Sequence, residues 1–224
     1  MEMRRLTVAI DGPAGAGKST VARRVAEELG LLYIDTGAMY RAITWKALQR
    51  GIDLSDELAV ARLARETDIA LGPQEVLVDD VAATEAIRSP EVTKHVSKVA
   101  GMVEVRRVLV EKQREMARSG GVVMDGRDIG THVMPDADVK VFLTASIEER
   151  VRRRHLEMIR RGYDSDPDRL YQEIKRRDEM DENRSHSPLK PAADAVMLDT
   201  TGRTIDEVVA MILDLCRTKV GGGE

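Results

Sequence analysis

Short apolar runs alternate with longer segments of helical spacing along most of the chain. Leu6–Ile10 is typical of a buried strand, and Val21, Val25 and Leu29 then recur at four-residue intervals before Gly30, which predicts a glycine-terminated helix. Further strands are predicted at residues 31–34, 122–125, 139–143 and 195–198. Because strands that alternate with helices form parallel sheets, we expect an α/β fold with a five-stranded parallel sheet flanked by helices.

The segment 65–100 departs from this alternation. Apolar stretches on either side of Gly72-Pro73 predict a small hairpin, and Ser89-Pro90 predicts a helix start with a cap followed by proline. A helical spacing of valines then continues to near Arg118. We therefore expect a core domain of residues 1–64 and 101–224, interrupted by an inserted region at 65–100.

Composition narrows the possible function classes. The chain has 224 residues, one cysteine, 3% aromatic residues and a formal charge of −4. Base stacking needs aromatic platforms and nucleic-acid coats are usually basic, so we expect no nucleic-acid partner. A single cysteine argues against a disulfide within the chain. No apolar run matches a membrane span or a signal-peptide core, so we expect a cytoplasmic protein without a membrane partner.

The residues from Gly12 to Ser19 fit the phosphate-binding pattern G-x-x-x-x-G-K-[ST], between a predicted strand and a predicted helix. Backbone N–H groups of such a loop point at phosphate oxygens, and the helix N-terminus adds partial positive charge. Lys18 is placed to contact the terminal phosphates of a nucleotide and Ser19 to supply a hydroxyl to Mg²⁺. The predicted nucleotide-binding residues are Gly12, Pro13, Ala14, Gly15, Ala16, Gly17, Lys18, Ser19 and Thr20.

This motif alone leaves the reaction open. A GTPase would carry a guanine-reading N-K-x-D, but the only asparagine, Asn183, does not stand in that pattern. A motor-type ATPase would end its strand with an acidic pair, whereas Met124-Asp125-Gly126 has one acid. A small-molecule kinase fits best. A kinase for another acceptor, such as UMP or a non-nucleotide acid, and a nucleotide switch without transfer activity stay open as alternatives.

Two strand ends carry candidates for a second substrate. Tyr40 and Arg41 follow the second strand, and open parallel sheets bind ligands beyond the carboxyl ends of their strands. The sequence D-G-R-D at Asp125–Asp128 closes the third strand in the same way. Such charges are costly to bury without partners, so this segment faces either a polar ligand or an internal ion pair.

Two predicted helices add further charge. Arg177, Asp181 and Arg184 share one helix face, with the carboxylate between two guanidiniums, although a solvated helix can show the same spacing. Six arginines lie within residues 150–161, opposed in that segment only by Glu157. Their density suits a flap that closes over polyphosphate, so a helical lid is expected at about 150–166.

With these motifs in place, the chain resembles the bacterial cytidylate (CMP) kinases of the P-loop nucleoside monophosphate kinase group over essentially its whole length. The D-G-R-D and R-D-x-x-D-x-x-R blocks together make the resemblance specific. The matching blocks are Ile10–Ser19, D-T-G-A-M-Y-R at Asp35–Arg41, E-x-I-R at Glu85–Arg88, M-D-G-R-D-I-G-T at Met124–Thr131, Arg177–Arg184 and S-P-L at Ser187–Leu189. The resemblance implies that the segment at 65–100 is a region that binds the nucleoside monophosphate (an NMP-binding region).

The resemblance also implies a reaction, transfer of the ATP γ-phosphoryl group to CMP or dCMP with Mg²⁺, in pyrimidine nucleotide metabolism. It assigns the cytosine to Ser97, Arg106 and Asp128, the ribose to Arg177 and Asp181, and the CMP phosphate to Tyr40, Arg41, Arg127 and Arg184. The resemblance also makes Thr36 a substrate-binding residue; it stands where some relatives carry serine and keeps the hydroxyl.

Catalysis is expected to need positioning and charge rather than a histidine, because an acceptor phosphate oxygen is already anionic. Lys18, Arg127 and Arg184 are the candidate catalytic residues. A monomer is the default expectation for this architecture.

Overall fold

Residues 5–72 and 75–221 are described in the structure, a computed structural model, and they separate into two compact units. The first unit contains the chain up to Tyr33 and from Gly120 onward, and the second is Ile34–Ser119. The described part of the predicted insertion, 65–100, lies within the second unit. The limits of that segment as an insertion stay a prediction.

The larger sheet has five strands in the order β2-β6-β1-β7-β8, and all of it except the last two residues of β2 belongs to the first unit. The strands are β1 (Thr7–Asp11), β2 (Leu32–Asp35), β6 (Val122–Gly126), β7 (Val139–Thr144) and β8 (Val196–Asp199). Strand β1 pairs in parallel with β6 and β7, and β7 pairs in parallel with β8. The predicted α/β fold is confirmed, and each strand begins and ends within one residue of its apolar run.

Helices flank this sheet, and residues with capping roles mark some of their ends. They are α1 (Lys18–Leu29), α6 (Ile147–Arg160), α7 (Pro167–Glu182) and α8 (Ile205–Gly221). Helix α1 ends at Gly30 in the left-handed conformation, as predicted. Helix α8 begins with a full capping box, because Thr204 and Glu207 each accept the other's backbone N–H. The apolar core that α1 and α8 share with the sheet includes Ile10 and Ile212.

The second unit combines four helices with a small sheet in its described residues. The helices are α2 (Thr36–Gln49), α3 (Glu57–Glu66), α4 (Pro90–Gly101) and α5 (Val103–Ala117), and the strands are β3 (Ile69–Leu71), β4 (Val76–Val78) and β5 (Val81–Ala82). Strand β4 pairs antiparallel with β3 and β5. The predicted hairpin is present, although Pro73 of its turn lies outside the described residues. The two-residue strand β5 is too short for a period-two pattern to reveal.

The prediction of one helix running from Pro90 to near Arg118 is wrong. The helix breaks at Met102, whose backbone is extended (φ −71°, ψ 121°), and α5 begins at the next residue. A tertiary contact caps the new helix, because the Glu104 N–H donates to Glu57 Oε1 at 2.7 Å. The valine spacing continues across the break, so periodicity alone could not show it.

Among the described residues, no helix is both long enough and apolar enough to cross a bilayer.

Candidate active site

The loop between β1 and α1 has the geometry of an anion-binding site. Gly12 (φ 148°) and Gly17 (φ 87°) occupy the left-handed half of backbone space, and a Cβ atom on Gly12 would overlap the Leu143 carbonyl oxygen. Gly17 is the N-cap of α1 and supplies no side-chain acceptor to the first helical N–H groups. These N–H groups are therefore left for an anion, together with the positive end of the helix dipole.

Lys18 lies buried at the start of this helix, and its Nζ donates to the Pro13 carbonyl oxygen at 2.8 Å. Burial lowers the pKa of Lys18 to about 7, and the charge of Arg127 acts in the same direction, while that of Asp125 opposes both. A polyanion beside the ammonium group would favour its protonated form. The position is therefore electrostatically suited to phosphate.

Ser19 and Asp125 place two oxygen donors side by side. The Ser19 hydroxyl donates to Asp125 Oδ2 at 3.0 Å, and the Tyr33 hydroxyl donates to Asp125 Oδ1 at 2.8 Å. A hydroxyl and a carboxylate are ligands that Mg²⁺ accepts beside nucleotide phosphates, so these residues fit the metal. Asp125 was predicted only as part of the D-G-R-D cluster, although an acid at the end of a buried strand was a usable signal for a metal site.

Asp11 is a buried carboxylate that sequence reasoning left without a role. Its Oδ1 accepts the Ile129 N–H and its Oδ2 accepts the Gly130 N–H, both at 2.8 Å. Burial raises the pKa of Asp11 to about 6, although the two backbone hydrogen bonds oppose the shift. Since Arg127 and Asp128 directly precede the residues it holds, Asp11 fixes the turn that presents them.

Asp181 lies at the centre of a cluster of arginines. Arg127 Nε donates to Asp181 Oδ2 at 2.9 Å, and Arg184 Nη2 donates to Asp181 Oδ1. Asp181 is 1% exposed. Burial raises its pKa, but the charges of Arg127, Arg184 and Arg177 outweigh burial, and the pKa lies below its usual value. The structure thus brings D-G-R-D and R-D-x-x-D-x-x-R together, which helical spacing alone could not predict.

Arg177, which belongs to the same cluster, has a hydrogen-bond donor that is available to a ligand. Among the described residues, its buried Nε has no hydrogen-bond partner. Burial lowers the pKa of Arg177 to about 10, and the neighbouring charge of Arg127 contributes to the shift. Three guanidiniums around one carboxylate leave an excess of positive charge, so the cluster suits an anionic or strongly polar ligand. Asp128, which follows Arg127, is also buried.

The arginines of α6 have more acidic partners than the sequence indicated. Arg150 is buried and donates to Asp178 Oδ2 at 2.6 Å and to the Ala14 carbonyl oxygen at 3.2 Å. Arg153 pairs with Glu149, which also lies outside the segment 150–161. The expectation that Glu157 alone opposes this charge holds only within the segment. Arg150 supports the phosphate loop directly, while the lid at 150–166 stays a prediction.

The second unit holds the other predicted substrate residues on its helices. The Arg106 guanidinium carbon lies 5.4 Å from the centroid of the buried Tyr40 ring, and its Nη1 donates to the Ala100 carbonyl oxygen at 3.0 Å. Arg106 is itself buried. Helices α2 and α5 therefore bring together two residues that lie far apart in the chain.

Arg41, Thr36 and Ser97 are placed by α2 and α4. Arg41 Nη1 donates to Thr93 Oγ1 at 2.9 Å, and Ser97 lies one helical turn beyond Thr93. Thr36 is buried at the first position of α2. Sequence reasoning gave no role to Arg88, whose Nη2 lies 3.7 Å from Asp35 Oδ2 at the cap of α2. Its presence in the E-x-I-R block was the available signal.

Comparison with known proteins finds relatives that match nearly the whole chain. A family model described as cytidylate kinase matches residues 8–218. The cytidylate kinase of Desulforamulus reducens is 60% identical over 209 residues, which cover 92% of this chain and 94% of the relative. The cytidylate kinase of Geobacillus kaustophilus is 53% identical over 222 residues, which cover 97% and 99% of the two chains.

A solved structure supports the fold. Shikimate kinase from Acinetobacter baumannii in complex with shikimate matches with a TM-score of 0.52 and 16% identity, covering 95% of this chain and 94% of that one. At this identity the likeness concerns the fold alone. The sequence relatives, in contrast, match over nearly the whole length at half or more identical positions. The chain belongs to the cytidylate kinase family.

Proposed function

We propose that this protein transfers the γ-phosphoryl group of ATP to CMP or dCMP, giving CDP or dCDP and ADP. The observation that carries the proposal is the cluster in which Arg127 and Arg184 share Asp181, in the same unit as the phosphate loop. Membership of the cytidylate kinase family supports the choice of a cytidine acceptor.

On the donor side, residues Gly12 to Thr20 bind the ATP phosphates. The N–H groups at the start of α1 supply hydrogen bonds, and Lys18 supplies a positive charge that a polyphosphate would stabilise. Ser19 and Asp125 would hold Mg²⁺, which neutralises phosphate charge when it is bound.

On the acceptor side, Asp128 contacts the cytosine, and Arg177 and Asp181 contact the ribose. Arg127 and Arg184 bind the CMP phosphate. The unpartnered Nε of Arg177 supports this part of the proposal, because an acceptor on the ligand would satisfy it.

The remaining acceptor residues of the proposal lie on α2, α4 and α5. Ser97 and Arg106 are assigned to the cytosine and Tyr40 and Arg41 to the CMP phosphate. Thr36 is assigned to the substrate without a particular group. The contact between Arg106 and the Tyr40 ring supports the idea that these side chains act together.

The chemical step needs no general base, because the attacking acceptor oxygen is already anionic. That oxygen forms a bond to the γ-phosphorus as the bond between this phosphorus and the leaving oxygen of ADP breaks. Lys18, Arg127 and Arg184 spread positive charge over the transferring group. The proposal further holds that the protein acts on small nucleotides as a cytoplasmic monomer. It includes no nucleic-acid or membrane partner.

The test is an acceptor panel. ADP release is measured with ATP and Mg²⁺ and equal concentrations of CMP, dCMP, UMP, AMP or shikimate. We expect CMP and dCMP to accelerate release at least about tenfold more than the other acceptors, since a missing or misplaced hydrogen-bonding group in a buried site costs well over 1.4 kcal/mol. Equal rates with every acceptor, or acceleration by shikimate alone, would contradict the proposal.

A further inference from the structure

Tyr33 links the second strand to the proposed metal site. It lies on β2, next to β6 in the sheet order, and its hydroxyl donates to Asp125 Oδ1 at 2.8 Å. The other oxygen of that carboxylate, Oδ2, accepts the Ser19 hydroxyl at 3.0 Å. Each carboxylate oxygen of Asp125 therefore has its own hydroxyl donor.

These two hydrogen bonds fix the rotation of the Asp125 carboxylate. A carboxylate held at one oxygen can still turn about its terminal bond, whereas donors on both oxygens define its plane. Tyr33 occupies the oxygen remote from Ser19, so Oδ2 stays directed at the hydroxyl that would share the metal. Asp125 is 3% exposed, and water is therefore a poor substitute donor for a lost hydroxyl.

The Tyr33 ring is itself held by α1. The guanidinium carbon of Arg23 lies over the ring at 5.5 Å from its centroid. Because Arg23 belongs to the helix that also carries Lys18 and Ser19, the ring and the phosphate loop share one rigid support. The hydroxyl is thus placed by packing and not by the hydrogen bond alone.

We propose that Tyr33 is a positioning residue that orients Asp125 for Mg²⁺ in the metal–nucleotide complex. The inference rests on the proposed function, because it requires that Ser19 and Asp125 hold the metal. Partners that orient metal ligands typically change metal affinity by 10- to 100-fold when they are removed. Loss of the Tyr33 hydroxyl should therefore lower the affinity for the metal and leave the acceptor site largely unchanged.

The experiment compares the full chain with Tyr33→Phe, which removes one oxygen atom and keeps the ring under Arg23. Mn²⁺ binding in the presence of ADP is followed by electron paramagnetic resonance, which reports the metal without turnover. We expect the apparent Kd for Mn²⁺ in the protein–ADP complex to rise about tenfold. Tyr171→Phe is the control, since Tyr171 packs against the small apolar cluster of α6 and α7.

A kinetic arm separates positioning from a general loss of structure. With Tyr33→Phe, the Mg²⁺ concentration for half-maximal rate should rise about tenfold, while the KM for CMP changes less than about twofold and excess Mg²⁺ restores most of kcat. A merely structural defect would lower kcat at every Mg²⁺ concentration. Thermal melting of both variants, monitored by circular dichroism, establishes that they are folded at the assay temperature.

The outcomes distinguish this inference from the proposed function. If the wild-type chain with ADP binds Mn²⁺ no better than ADP alone, both the metal site and the role of Tyr33 are overturned. If the wild type binds Mn²⁺ and Tyr33→Phe binds it equally well, only the role of Tyr33 is overturned. If Tyr33→Phe binds Mn²⁺ more weakly than the wild type and its KM for CMP is unchanged, the inference is supported.

Discussion

The two units place their candidate binding residues by different means. In the first unit, the phosphate loop follows β1, and the D-G-R-D segment begins with the last two residues of β6. These strands are hydrogen-bonded neighbours with Asp11 opposite Gly126. The sheet register alone brings the two strand ends together. In the second unit, Tyr40 and Arg106 meet only because α2 and α5 present matching faces to each other. Residues at strand ends are therefore fixed by backbone pairing, whereas those on helices depend on packing.

The two regions also differ in how charge is supported. Asp181 in the first unit is buried between two arginines, so its removal leaves cations without their shared counter-ion. In the second unit, Arg106 lies over the Tyr40 ring and donates to the Ala100 carbonyl oxygen. Substitution of Asp181 should therefore affect both acceptor binding and stability, whereas a glutamine at position 106 keeps a donor for the carbonyl oxygen and should act mainly on acceptor binding.

The largest expected effect is at Lys18. Lys18→Ala should lower kcat by about 10²- to 10³-fold, because it removes a preorganised positive charge from the transferring phosphoryl group. The KM for CMP should stay nearly unchanged, since no CMP contact is assigned to Lys18. Steady-state rates over a range of CMP concentrations check both values. Lys219→Ala is the control, as this lysine is exposed on α8, and a wild-type kcat for Lys18→Ala would refute the phosphate-loop assignment.

A smaller effect on rate but a large one on stability is expected at Asp181. Asp181→Asn should lower the free energy of unfolding by about 3 kcal/mol, because breaking a buried ion pair leaves the arginines uncompensated. Urea denaturation at pH 7 measures this value. The KM for CMP should rise more than that for ATP. Asp214→Asn, in an exposed pair with Arg217, should change stability by about 0.3 kcal/mol.

The pH dependence of this stability follows from the direction of the pKa shift. The pKa of Asp181 is lowered in the folded protein, so the carboxylate contributes stability above its unfolded pKa and loses it as the pH falls through the folded pKa. The stability difference between wild type and Asp181→Asn should therefore shrink in acid. A difference that stays constant down to the lowest pH at which both proteins fold would contradict the charge-pair account.

The sequence predicts features that depend on local signals better than features that depend on tertiary contacts. Sheet strands and the phosphate loop were predictable because an apolar run and a contiguous glycine motif are local signals. The partners of Asp181 were only half predictable: its spacing from Arg184 is local, but Arg127 follows the end of β6 and is 54 residues away in the chain. The break at Met102 and the Tyr33–Asp125 hydrogen bond depend on tertiary contacts that no local pattern encodes.

The smallest of the three effects, at Arg106, tests the second region on its own. Arg106→Gln removes the charge over the Tyr40 ring, but the glutamine amide can still donate to the Ala100 carbonyl oxygen. We therefore expect the KM for CMP to rise about tenfold, the KM for ATP to change less than about twofold, and the free energy of unfolding to fall by about 1 kcal/mol or less. Acceptor titrations at saturating ATP, together with urea denaturation, measure these quantities.

The matched control for this substitution is Arg107→Gln, at the neighbouring and exposed position of α5, where the side chain pairs with Glu104. It alters the same charge on the same helix but on its solvent side, and should leave both KM values at the wild-type level. If Arg106→Gln instead destabilised the protein as strongly as Asp181→Asn, the buried arginine would be a structural cation like those around Asp181. The contrast between a region built on shared charge and one built on packed helix faces would then fail, because both would depend on buried ion pairing.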